Sequence, residues 1–276
     1  MDEEPLEVLP EPAPDAVKGE SGEILVVSGS HEYSNTPAIV SLSALRTGVD
    51  LVHVASVERP ADITASYALN LITHPLKGKK FLEDHVEKVL ELSKNTDCIA
   101  IGPGLGRDEE TLPAVRRFLE ERETPAVIDA DALHALEDGF DRVRKNDVLT
   151  PHRGEFRELT GEDIPEQLGE KEDLMESWAG EVEATILLKG PTDFISSPDR
   201  LVMNSVGNPY MARGGTGDVL TGLTAAFISQ GVPPFESAYA ASYLNGLAGD
   251  QAVNDHGRGF LLEEMIEKIG EVLRRR

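Results

Sequence analysis

Aromatic residues are scarce in this chain. Phe, Trp and Tyr make up 5% of its 276 residues, so a core must rest on Val, Ile, Leu and Ala. The 40% of hydrophobic residues suffices for one large α/β domain, or at most two small ones. There is a single cysteine, Cys98. An intrachain disulfide is therefore excluded, and its setting in Cys98-Ile99-Ala100-Ile101 reads as core filler in a reducing compartment. Positive charge is also in short supply: 26 Lys and Arg face 50 Asp and Glu, a formal charge of −24. That balance excludes a general nucleic-acid-binding face, which needs surplus cations to neutralise phosphates. A small anionic ligand would need local help from backbone N–H groups, helix N-termini or a metal ion. No long apolar run is present. The uncharged stretch from Val219 to Phe235 carries Thr221, Gly222, Thr224, Ser229, Gln230 and two prolines, and reads as a buried helix and turn rather than a membrane span. Met1 to Asp15 is acidic and Pro-rich, the reverse of a secretory leader. A cytoplasmic protein with neither membrane nor nucleic-acid partners is expected.

What is present is a regular alternation. Residues 1–22, with Pro5, Pro10, Pro12 and Pro14 among many acids, read as a flexible tail. A single domain over 23–276 is expected to follow. Strand-like runs occur at Glu23–Ser28, Asp50–Val54, Asp97–Ile101, Pro125–Asp129, Asp147–Thr150 and Thr185–Lys189. Helical spacing marks Pro37–Thr47, Phe81–Lys94, Glu109–Arg122, Ala132–Glu137 and Glu170–Glu183. A hairpin is expected over Asp193–Ser196 and Arg200–Asn204, and helices over Asp218–Gln230, Phe235–Asn254 and Leu261–Arg274. Near-continuous apolar strands separated by amphipathic helices predict a mostly parallel central sheet with helices on both faces.

In such sheets ligands bind beyond the carboxyl ends of the strands, and the special residues fall there. Ser28-Gly29-Ser30, Gly102-Pro103-Gly104-Leu105-Gly106, Asp129-Ala130-Asp131, Thr150–Glu155 and Lys189-Gly190 each follow a strand. The sharpest motif is Gly214-Gly215-Thr216-Gly217-Asp218, running into a helix. Its glycines let successive N–H groups face one point, and the helix dipole adds positive charge there, which suits phosphoryl oxygens. Asp218 is either a helix cap or a base for a hydroxyl attacking a phosphoryl group, since a carboxylate is a poor choice for binding phosphate. Gly102–Gly106 does not fit the dinucleotide fingerprint, because Pro103 interrupts it and the third glycine comes too early. His152 and Glu155 lack zinc spacing; His152 is either a hydrogen-bonded loop residue or a binder of substrate or phosphate. Lys189 is a turn residue or a point charge for phosphate. Asp129 and Asp131 are a cap and a surface acid, or hold Mg²⁺ through water.

Taken in order, Glu23–Gly29, Gly102–Gly106, Asp129–Leu133, Leu149–Phe156, Leu188–Gly190, Gly207-Asn208-Pro209, Gly214–Leu220 and Gly246–Asp250 resemble the NAD(P)H-hydrate dehydratases, over residues 23–272. The resemblance implies a ribokinase-like fold and a repair reaction, in which hydrated NADH or NADPH is phosphorylated by ADP (or ATP) and loses phosphate to return NAD(P)H. It implies that Asp218 is the catalytic base and also touches the substrate. Gly215, Thr216 and Gly217 would then hold the transferred phosphoryl group. Lys189, Gly190, Pro191, Thr192, Asp193 and Asn208 would line the adenine nucleotide, and Ala38, Gly104 and His152 would contact the hydrated dinucleotide. Mg²⁺ would bridge the nucleotide phosphates, with its protein ligands unassigned. A homo-oligomer is implied, and so is a separate epimerase in the same pathway, since only residues 1–22 precede the first strand here. Arg213 stands where many relatives place a small residue, and is read as surface variation or as an added charge for phosphate. A small-molecule alcohol kinase of the same fold, acting on a hydroxymethylpyrimidine, a thiazole or a sugar, shares the glycine loop and the Asp. A non-catalytic nucleotide sensor is the third reading, which the carboxylate of Asp218 disfavours.

Overall fold

In the computed structural model, which describes residues 5–11, 14, 15 and 17–275, strands and helices alternate as the sequence pattern predicts. In chain order they are β1 (Glu23–Val27), α1 (Thr36–Leu45), β2 (Leu51–Val57), α2 (Glu58–Ala65), β3 (Leu71–Leu76), α3 (Val86–Ser93), β4 (Cys98–Ile101) and α4 (Thr111–Glu121). There follow β5 (Ala126–Ile128), a 3-10 helix (Ala130–Leu136), β6 (Val148–Leu149), α5 (Arg153–Thr160), α6 (Leu168–Val182), β7 (Thr185–Leu188), β8 (Asp193–Ser197) and β9 (Arg200–Asn204). The chain closes with α7 (Thr216–Ser229), α8 (Pro234–His256) and α9 (Leu262–Leu273). The nine strands form one sheet in the order β3-β2-β1-β4-β5-β6-β7-β8-β9. Every neighbouring pair from β3 to β7 is parallel, while β8 and β9 add an antiparallel edge.

Both faces of the sheet are buried, which explains why its strands are apolar without alternation. On one face Ile24, Val26, Cys98 and Ala100 pack with residues of α1, α7, α8 and α9. On the other, Leu25, Val27, Ile99 and Ile101 pack with residues of α3, α4 and α6. Cys98 is fully buried and free, and burial lifts its thiol far above the usual range, so it fills space and does no chemistry. Among the described residues no helix is long and apolar enough to cross a membrane.

Three elements lie outside the sequence expectations. β3 sits at the sheet edge, where Pro75 costs no ladder bond, but His74 and Pro75 disguise the strand in the sequence. α2 is short and largely polar. α5 occupies a stretch read as loop, because its start is set by a capping box and not by an apolar stripe. The expectation of a free tail over 1–22 also fails where the tail is described. Leu6 and Leu9, 2% and 6% exposed, join the core of the α7–α8 face. Further on, Gly19 and Ser21 donate their N–H groups to Asp50 Oδ2. Apolar residues at the 6 and 9 positions make a helical turn worth burying, a signal masked by the surrounding acids and prolines. The remainder of that expectation, residues 1–4, 12, 13 and 16, lies outside the described residues.

Candidate active site

The strand order reverses at β1, with β2 on one side and β4 on the other, and such a switch point opens a crevice. Two loops meet there. Gly29 N–H and the Ser28 hydroxyl both donate to Pro103 O, at 3.0 and 2.6 Å. Gly102 has φ +126°, and a Cβ there would stand 1.8 Å from Asp129 O, so only glycine lets the loops after β4 and β5 touch. Gly104, with φ +70°, lies against Tyr33 and Thr36 at the start of α1. Ala38 is in that first turn and is 2% exposed, so it shapes the wall by packing rather than by offering surface. Tyr33 is the residue of this wall that sequence reasoning missed; it is half exposed, and its only signal was an aromatic in the loop after β1.

Asp129, at the end of β5, is 1% exposed and anchors the charge network. Its Oδ1 stands 2.6 Å from Lys189 Nζ, and its Oδ2 accepts the Thr221 hydroxyl at 2.6 Å. The next residue, Ala130, is held at φ 49°, an unfavourable left-handed conformation of the sort that clusters at functional sites. Asp131 then accepts from Gly106 N–H at 2.8 Å and Arg107 Nε at 3.1 Å, pinning the end of the Gly102–Gly106 loop. All four carboxylate oxygens of this pair are thus engaged. Among the described residues no group of three carboxylate or imidazole donors gathers at this edge, so the residues do not fit a resident metal site.

Lys189 ends β7 but does not project as a free charge for phosphate. It is also 3.9 Å from Glu155 Oε2 and is mostly buried. Burial pulls its pKa down, yet Asp129, Glu155 and Asp218 together hold it above the ordinary lysine value. Its ammonium lies beside Gly217, 3.5 Å from where a Cβ would be. Gly217 belongs to the first turn of α7, whose N-cap Gly215 has φ 96° and supplies no side-chain cap. The first-turn N–H groups therefore keep their capacity for an anion. The Thr216 hydroxyl turns back to Met211 O and Arg213 O, at 2.8 and 3.0 Å, so Thr216 can offer an anion only its N–H.

Asp218 stands in that same turn. Burial pushes its carboxyl up to about 7, Asp129 and Asp131 add to the rise, and Lys189 opposes it. A carboxylate whose pKa is raised toward neutrality, beside a helix start with free N–H groups, has the properties that a general base needs.

The remaining predicted residues mostly shape loops. Asp193 Oδ1 accepts from Gly190 N–H at 2.9 Å and its Oδ2 accepts from Ser242 at 2.7 Å, closing the Gly190-Pro191-Thr192 turn. Burial raises its pKa despite both bonds. Thr192 pairs with Ser205 at 2.9 Å. Asn208 caps the turn Pro209–Met211 through Tyr210 N–H and donates to Asp250 at 2.8 Å. His152 caps α5: its Nδ1 accepts from Glu155 N–H at 3.0 Å, and Glu155 Oε2 accepts from His152 N–H at 2.8 Å. The His152 side chain is about half exposed, with Nε2 3.5 Å from Glu155 Oε1. Arg213 is neither idle nor aimed at phosphate. It donates to Tyr210 O, Phe260 O and Arg258 O and stacks on the Phe260 ring, clamping the glycine loop to the segment before α9.

The family of NAD(P)H-hydrate dehydratases matches residues 24–271. The chain belongs to that family. A bifunctional NAD(P)H-hydrate repair enzyme of Pyrobaculum aerophilum is 42% identical over 95% of this chain and 52% of its own length. The chain thus spans about half of such bifunctional relatives. An ADP-dependent (S)-NAD(P)H-hydrate dehydratase of Cenarchaeum symbiosum is 38% identical, with 94% of this chain and 91% of the relative covered. The Bacillus subtilis ADP/ATP-dependent NAD(P)H-hydrate dehydratase, co-crystallised with ATP/Mg²⁺, superposes with a TM-score of 0.84 at 27% identity, covering 99% of this chain and 97% of that one. A Pyrococcus horikoshii hydroxyethylthiazole kinase, at 19% identity and a TM-score of 0.64, shares the fold alone, which is ribokinase-like.

Proposed function

We propose that this dehydratase-family chain converts hydrated NADH and NADPH back to the reduced dinucleotides, using ADP as phosphoryl donor and releasing AMP and phosphate. The observation that carries the reading is Asp218. It is a partly buried carboxyl whose pKa is pushed up to about 7, set in the uncapped first turn of α7, within a sequence that matches the family over residues 24–271.

The chemistry follows from the substrate. The hydrate carries a hydroxyl at C6 of the nicotinamide ring, and hydroxide leaves poorly. Asp218 takes the hydroxyl proton as its oxygen attacks the terminal phosphorus of ADP, and the bond to the bridging oxygen breaks to release AMP. The N–H groups of Gly215, Thr216 and Gly217 receive the charge on the transferred group. The ring nitrogen then expels phosphate from C6, and loss of a proton from the neighbouring carbon restores the dihydropyridine. Burial sets the Asp218 proton affinity near neutrality, with Asp129 adding to the protonated form and Lys189 favouring the ionised one. The Lys189–Asp193 segment and Asn208 shape the wall for the nucleotide, while Gly104 and His152 face the hydrated dinucleotide and Ala38 backs that wall by packing behind it.

Magnesium supplies charge neutralisation on the nucleotide phosphates when bound. With Asp129 and Asp131 already engaged, the ion would be held chiefly by the nucleotide phosphates. We further assign the chain to a cytoplasmic homo-oligomer, working beside an epimerase that interconverts the two hydrate forms.

The test is product analysis after incubation of chemically hydrated NADH with Mg²⁺ and ADP or ATP. Recovery of the reduced-nicotinamide absorbance together with AMP (or ADP) and free phosphate supports the reading. A stably phosphorylated alcohol product from a small hydroxymethyl substrate, without recovery, would replace it with an alcohol kinase.

A further inference from the structure

Away from the catalytic edge, the 3-10 helix after β5 and the helix α5 bring one imidazole and two carboxylates together. His134 is 5% exposed, while Glu137 and Glu158 are each about half exposed. One donor atom from each lies within 4.8 Å of the others. His134 Nδ1 is hydrogen-bonded to Glu137 Oε1, which places the ring proton on Nδ1 and leaves a lone pair on Nε2. Nε2 is buried and forms no hydrogen bond with any described residue. Yet it stands 3.4 Å from Glu158 Oε2. A lone pair facing a carboxylate oxygen is unfavourable unless positive charge lies between them.

A proton on Nε2 is poorly placed to supply that charge, because the Nε2–Oε2 pair stands 3.4 Å apart and makes no hydrogen bond. A metal ion is well placed. Two donors each about 2.0–2.2 Å from one tetrahedral zinc stand roughly 3.4 Å apart, with each donor off the other's axis. Glu137 on Nδ1 is the carboxylate that commonly orients a metal-bound imidazole from behind. Arg107 Nη1, 3.4 Å from the same Oε2, is the competitor; its contact is long and half exposed, so an ion can displace it.

We propose that His134 Nε2 and the Glu158 carboxylate hold a zinc-type divalent cation, with Glu137 fixing the ring and water completing the coordination. The ion would tie the 3-10 helix, which starts immediately after Asp129, to α5, which starts immediately after His152. It would thereby brace two segments of the catalytic edge without entering the reaction. Two protein donors make it a reversible site that a chelator strips.

The experiment is calorimetric titration of the chelator-stripped full chain with zinc chloride, in excess Mg²⁺ to saturate the surface carboxylates, beside thermal melts with and without zinc. One zinc per chain and an upward melting shift are expected. Glu158→Gln, a change at an exposed side chain, should bind at least about tenfold more weakly and lose the zinc-dependent shift while melting like the parent without metal. Absence of a single-site isotherm for the parent overturns the proposal. So does equal zinc affinity in Glu158→Gln, which would mean that the imidazole is protonated between its two carboxylates and the metal binds elsewhere.

Discussion

Asp218 carries the most consequence per atom of any side chain here. Asp218→Asn keeps shape and removes the proposed base, so turnover should fall by roughly 10²–10⁴-fold while nucleotide affinity, measured by calorimetry, stays close to the parent's. The same change bears on stability with a definite sign. The folded pKa of about 7 exceeds the model value of 3.8, so the folded state holds its proton more tightly, and the parent loses stability as pH rises from about 4 to 7. Asp218→Asn should therefore be more stable than the parent above pH 7, by roughly 2–4 kcal/mol, with the gain vanishing below about pH 4. Denaturant melts at several pH values read this directly; a pH-independent difference would mean that Asp218 is not held protonated. Asp129→Asn removes a charge that raises the Asp218 pKa and frees Lys189, which lowers it. The rising limb of the pH–kcat/KM profile, set near 7 in the parent, should move to lower pH. The place of Asp218 at the start of a helix was legible in the sequence because the glycines announcing it are adjacent to it. Its partners were not, since Asp129 and Lys189 lie 60 residues apart and only folding shows that they neutralise each other. For the same reason the sequence left Lys189 open between a turn residue and a charge for phosphate, and Arg213 between surface variation and an added charge, whereas the fold pairs Lys189 with Asp129 and Arg213 with backbone carbonyls.

At the scale of elements, the parallel strands were legible because burial on both faces leaves apolar runs of strand length. The helices with apolar stripes were legible by their spacing. β3 and α5 were not: one is an edge strand with a proline, the other a short helix started by the reciprocal His152–Glu155 cap. The junction of the loops after β4 and β5 rests on Gly102. Gly102→Ala forces a methyl to 1.8 Å from Asp129 O at a φ unsuited to alanine. We expect a loss of at least about 2–3 kcal/mol and reduced turnover even in the folded fraction, because Asp129 must shift. Wild-type stability in this variant would show that the loop contact is not rigid.

The whole molecule is held by its two core layers and by a few buried polar ties. Arg122 and Asp147 are both fully buried and paired, with Asp147 also accepting from Ala126 N–H at 2.8 Å. Asp147→Asn should cost about 3–5 kcal/mol by leaving a buried guanidinium unmatched. The docked N-terminal turn belongs to the same scale. Leu6→Ala should lower stability by about 2–4 kcal/mol, whereas a free tail would tolerate the change. A net charge of −24 opposes compaction through self-repulsion, so the melting temperature should rise with salt as screening grows.

Dinucleotide repair through Asp218 is tested most directly by one comparison: recovery of reduced-nicotinamide absorbance from hydrated NADH with ADP and Mg²⁺, in the parent and in Asp218→Asn. The parent should restore the absorbance with one AMP and one phosphate per dinucleotide, and the variant should bind ADP but restore almost none. Recovery in the variant at the parental rate, or none in a demonstrably folded parent, would contradict it.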